Sequence, residues 1–165
     1  MTQRAAPLSP LIQIITTVYI LITCGVFVGA VHQRSPLMAV IGASLALMGL
    51  ACFLLAPVAY ELSEGRLTVV LRLGRVRYGP VVNCLSRQDV QSLPNLMWGV
   101  RLFGNGGLFA GVGIFWTPAL GVFWAWVTSA RRENLVVLET LRTKVLITPA
   151  DSQAFIAFAE SKPLG

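Results

Sequence analysis

The chain has 165 residues, of which 55% are apolar and only 12% charged, where an ordinary soluble domain carries about 25% charge. That length allows one domain plus membrane anchoring, and the shortage of charge argues for lipid contact. A single histidine and three cysteines, none in a CxxC pair, leave no ordinary zinc ligand set, and the net charge of +6 is mild.

The charge is unevenly spread. None occurs between Arg4 and His32 or between Arg34 and Glu61, and every acidic residue lies at or after Glu61. Two apolar runs, Leu11–Val31 and Leu37–Pro57, are each long enough at about 1.5 Å per residue to cross the roughly 30 Å hydrocarbon core of a bilayer. Pro7 and Pro10 precede the first and Pro57 ends the second, placements proline tolerates at helix boundaries. The short connection His32–Pro36 forces an antiparallel hairpin. The first run is too long for a signal peptide's apolar core, and a second span follows at once. Residues 1–58 therefore read as a transmembrane hairpin and 59–165 as a separate domain.

Gly25 and Gly29 form a GxxxG, and Gly42, Ala43, Ala46 and Gly49 line the second run. Small residues let helices approach closely in lipid. The pair serves either dimerisation or, as favoured here, seating of the two helices of one hairpin. Cys24 lies well into the first span and Cys52 near the end of the second, a depth mismatch that disfavours a disulfide. With Cys84 they read as reduced, packed thiols. Arg66, Arg72, Arg75 and Arg77 follow the second span and Arg4 precedes the first. By the positive-inside rule both termini are expected on the cytoplasmic side of a bacterial inner membrane.

From Leu67 the period changes to two. Leu67, Val69, Leu71 and Leu73 alternate with Thr68, Val70 and Arg72, which suits a half-buried strand. Gly74 interrupts, and Arg75–Tyr78 resumes the alternation before Gly79-Pro80, which predicts a β-hairpin. Val90–Leu93 is a further short strand. Leu102–Ala130 carries no charge and would pass as a third span on hydropathy. Glycines at 104, 106, 107, 111, 113 and 121 cost a helix about 0.8–1 kcal/mol each, and Pro118 would break one. Phe115, Trp116, Val122, Phe123, Trp124, Trp126 and Val127 favour strands, so two strands joined at Thr117-Pro118 are expected. Leu135–Glu139 and Lys144–Thr148 make another strand pair. A helix follows, with Thr148 as cap, Pro149 first and Asp151 near its start. Ala154, Phe155, Phe158 and Ala159 share one face, and Lys162-Pro163 closes it.

On these residues the region from about Tyr60 to Ser161 resembles the bacterial pleckstrin-homology-like (PH-like) domains found behind membrane helices. The likeness rests on Arg101–Phe109 with its glycines, the turn before Gly121, and Thr148–Ser152 leading to Phe155. It implies an α+β membrane protein, with a two-helix transmembrane hairpin followed by a β-barrel or sandwich capped by the C-terminal helix. The family is defined by fold and brings no catalytic residues.

The residues themselves offer little chemistry. His32 sits in the interhelical loop, away from any candidate nucleophile. Glu133, Glu139 and Asp89 show no paired spacing, and Gly104–Gly107 lacks the lysine-serine of a phosphate loop. No catalytic, metal or cofactor site is expected. The candidate surface is Arg72, Arg75 and Arg77, which strand alternation places opposite Leu71, Leu73, Val76 and Tyr78, facing anionic lipid headgroups or a partner. The aromatics do not interleave with these arginines, which disfavours nucleic acid. The leading expectation is a non-catalytic interaction or scaffold module, binding a protein or itself. The alternative is a transporter or channel subunit with residues 102–130 embedded in the membrane, against which stands the lack of intramembrane charge.

Overall fold

The computed structural model describes residues 1–85, 100–129 and 131–161. The chain opens on a strand, β1 (Thr2–Arg4), before the two apolar helices α1 (Pro10–Gln33) and α2 (Pro36–Leu54). Both helices are long and apolar enough to cross a membrane. Ser35 caps α2 by accepting the Met38 amide, Pro36 takes its first position, and Arg34 turns the corner in the left-handed region at φ 49°. The second helix stops at Leu54, earlier than the apolar run suggests. Pro57 does not end it but opens β2 (Pro57–Ser63), paired with both β1 and β3.

Of the GxxxG pair, Gly29 borders the second helix and Gly25 does not. A Cβ on Gly25 would meet nothing within 4 Å, while one on Gly29 would lie 3.6 Å from the Met38 sulfur. Gly42 borders the Phe27 ring at 3.4 Å, and the tight place is Gly49 against Tyr19, whose hydroxyl donates to the Leu45 carbonyl. All three cysteines are free; Cys84 is buried, Cys52 partly so, and Cys24 is exposed rather than packed, on the outer surface of α1.

The strands β3 (Arg66–Leu71), β4 (Gly74–Cys84), β5 (Val100–Gly106), β6 (Gly111–Thr117), β7 (Gly121–Val127), β8 (Val136–Thr140) and β9 (Lys144–Ile147) complete one sheet, in the order β1-β2-β3-β4-β8-β9-β7-β6-β5. It ends on β1 and β5 without closing, so the fold is a sandwich rather than a barrel. The expected hairpin at Gly74 is present, although Leu73 belongs to the turn and stands 70% exposed instead of pointing inward. Gly79-Pro80 does not stop β4. The strand pairs with β3 through Pro80 and with β8 from Val81 onward. Proline has no N–H to donate, and it falls where the ladder changes partner. The Thr117-Pro118 turn joins β6 to β7 as expected, and the 135–148 region forms the β8–β9 pair. Glycine-rich Val100–Gly106 is itself a strand. The short strand expected at Val90–Leu93 lies outside the described residues.

The C-terminal helix, α3 (Ser152–Ser161), starts later than the Thr148 cap implies. Residues 149 and 150 are tied to the start of the chain by the Ala5–Pro149 bridge and the Ala150 N–H to Arg4 carbonyl bond. Asp151 caps instead, accepting the Ala154 amide at 3.0 Å. Lys162 and Pro163, expected to close it, lie outside the described residues. Phe155, Ile156 and Ala159 enter a core with Tyr60, Leu67, Val69, Val112, Trp126, Val136 and Ile147, so α3 plugs the space between the two layers.

Candidate functional site

The two helices are stitched to the sheet at both roots. Ahead of α1, Ala6 N–H donates to Thr148 and Ser9 N–H to Thr128 backbone oxygens. The Thr128 hydroxyl donates to the Ala6 carbonyl at 2.7 Å. After α2, the Leu73 amide donates to the Leu54 carbonyl at 3.1 Å. Between the roots sits the turn after β5. Asn105 Oδ1 accepts the Gly107 and Leu108 amides, which fixes the loop as an Asx turn. Phe109, at φ 61°, donates its N–H to Thr16 Oγ1 at 3.0 Å and sets its ring edge-on to Phe53, 5.3 Å between centroids. The glycine-rich segment is thus the dock that joins sheet to helices. Its glycines are obligatory where β5 meets β6, because a Cβ on Gly104 would lie 2.2 Å from the Val112 carbonyl oxygen.

The three arginines singled out in the sequence divide. Arg75 and Arg77 project from β4 opposite Val76 and Tyr78, which pack on the core, as alternation requires. They line a shallow groove of about 610 Å³ together with Arg66, Arg142 and two carboxylates, Glu61 and Glu64. Glu61 pairs with Arg75 at 3.5 Å. Among the described residues Arg66, Arg77 and Arg142 have no carboxylate within ion-pair distance. Arg72 lies in the turn, its guanidinium 4.2 Å from the Phe53 ring centroid, and it lines a second cleft that also contains Arg4. Arg142 and Arg4 were legible as charges but not as neighbours, since only pairing between strands distant in sequence brings them to these places.

Titratable groups near the groove serve structure. The Lys144 ammonium, 3.1 Å from Glu139, holds that carboxyl below its usual range, with Asn83 adding a hydrogen bond. Burial pushes Tyr78 up to about 12; its oxygen accepts the Trp126 indole N–H at 2.6 Å. Burial, with the charge of Glu160, pushes Cys84 up to about 12 as well, so that thiol is protonated and inert. His32 lies in the last turn of α1, at the end away from the sheet. Glu133 pairs with Arg131 at 3.6 Å; Asp89 lies outside the described residues. No group of three or more His, Cys, Asp or Glu side chains converges among the described residues.

Residues 58–163 match the family model described as a bacterial PH domain. No curated protein matches the chain, and no solved structure does.

Proposed function

The chain belongs to the bacterial PH domain family, and from that premise we propose a non-catalytic protein-interaction module anchored at the inner face of the bacterial cytoplasmic membrane. The supporting observation is the groove of Arg66, Arg75, Arg77 and Arg142. It lies on a domain fixed, rather than loosely tethered, to two membrane-length helices. The Leu73 turn marks the helix end of β4. At about 3.3 Å per residue, Arg77 stands roughly 13 Å along the strand from it and Pro80, opposite Arg66, roughly 23 Å. Surface potential decays over about 8–10 Å, so these arginines suit an acidic protein surface better than the leaflet.

The strands within Val100–Val127 pair with one another and, through β7, with β9 of the domain sheet, which supports this reading over a transporter subunit with a third embedded segment. The test is site-specific photocrosslinking in cells with the probe replacing Arg77 or Arg142. A discrete protein adduct, lost on the Arg66→Glu/Arg75→Glu change, is expected. Adducts to lipid alone would refute the interaction role.

A further inference from the structure

We propose that the cleft between the roots of the two helices binds the phosphate of one anionic phospholipid from the surrounding leaflet, clamped by Arg4 and Arg72. This rests on the membrane-anchored reading above. The cleft, about 670 Å³, is lined by Arg4, Arg72, Phe53, Gln13, Thr16 and Thr17 among others, with no acidic residue among the described residues of its walls. Its level is set by the helices themselves. The exposed apolar surface of α1 begins at Leu11, and that of α2 runs down to Phe53 and Leu55. A bilayer covering those residues places its headgroups at the cleft.

The two guanidiniums come from opposite ends of the hairpin, one from β1 and one from the β3–β4 turn. Among the described residues neither has a carboxylate partner. Both arginines line the one cleft, and an anion bound there would be attracted by both charges. Guanidinium forks match phosphate oxygens in pairs. Arg72 is pre-positioned by its stacking on Phe53, so less side-chain freedom is lost on binding. The Thr17 hydroxyl makes no hydrogen bond within the described residues, and Thr16, which accepts from Phe109, still has its own proton to donate. A zwitterionic headgroup would bring an ammonium against the same two cations, which gives the site its selectivity. Arg4, Gln13, Thr16, Thr17 and Phe53 all precede the residues matched by the family model, which begins at 58. The site therefore belongs to the junction rather than to the domain alone.

The test uses the full chain in phosphatidylcholine vesicles, with electron spin resonance of spin-labelled phosphatidylglycerol or phosphatidylcholine reporting lipid held at the protein. Phosphatidylglycerol is expected to associate more strongly, by about fivefold per arginine. The Arg4→Gln/Arg72→Gln variant should bring the two lipids level, whereas Arg4→Lys/Arg72→Lys and Arg75→Gln/Arg77→Gln should keep most of the preference. Equal association in the unaltered chain, or a preference that survives Arg4→Gln/Arg72→Gln, overturns the site. Loss of the preference on adding inorganic phosphate, but not chloride of equal ionic strength, would make it a free-anion site and overturn the lipid assignment. Absence of any immobilised lipid component would refute the anchoring itself.

Discussion

The Tyr60 hydroxyl is completely buried and donates to the Trp126 carbonyl at 2.6 Å. Burial raises its pKa from 10.0 to about 12, as it does that of Tyr78. The folded state therefore holds both phenolic protons more tightly than the unfolded chain does. Their contribution to stability is complete below pH 10 and disappears as the pH climbs toward about 12. Tyr60→Phe should cost about 1–2 kcal/mol near neutral pH and flatten the alkaline fall in melting temperature, followed by near-UV circular dichroism in detergent. Glu139 works in the opposite direction. Its lowered pKa gives stability that is present above the ordinary 4.5 and lost as the pH falls through the folded value, so Glu139→Gln should flatten the acid limb. Gly113 is a backbone case, with φ 151° and a built Cβ 2.1 Å from the Phe103 carbonyl oxygen. Gly113→Ala should lose about 3 kcal/mol or more, because strain and a backbone clash add. Gly121, at φ 70° with open space around it, should lose only about 1–2 kcal/mol on the same change.

Among the elements, one loop ties both helices to the sheet at once, beside the hydrogen bonds at their roots. Phe109 touches α1 through its amide and α2 through its ring, and Asn105 holds the loop in shape from within. Thr16→Val removes the acceptor for the Phe109 N–H and leaves that donor without its partner, a loss of about 1 kcal/mol or more. Faster hydrogen exchange confined to residues 106–110, with the β8–β9 pair unchanged, is the expected result in lipid nanodiscs. Unchanged exchange would mean the aromatic contact alone holds the loop. The C-terminal helix allows a simpler test. Asp151→Ala should cost about 1 kcal/mol as a lost cap, whereas Thr148→Ala should disturb the Ala6–Thr128 seam to which Thr148 belongs.

For the whole molecule, the two helices emerge between adjacent antiparallel strands, β1 and β2, so both roots stand on the same side of any membrane the hairpin crosses. In a background freed of native cysteines, a thiol at Gln33 should react with an impermeant maleimide on intact cells, and one at Arg77 only after permeabilisation. The reverse pattern would invert the proposed orientation. Several features were legible in the linear chain: the two long apolar helices, the Gly74 and Thr117-Pro118 turns, the β8–β9 pair and the inward face of the last helix. Each is a local periodicity of apolar residues or a turn preference, and the free energy of burial acts on those patterns directly. Other features came only with the tertiary structure. The strand at Thr2–Arg4, the passage of β4 through Pro80 from one partner to another, and the convergence of Arg4 with Arg72 and of Arg142 with Arg77 depend on pairings between residues far apart in sequence. Helix and turn signals are written within a few residues, but the register of a sheet is decided by which distant strand buries which face. The sequence by itself therefore determined that this chain is a helical hairpin followed by a strand-rich domain. Which charges meet, and so where an anion or a partner can sit, was decided only when the strands closed on one another.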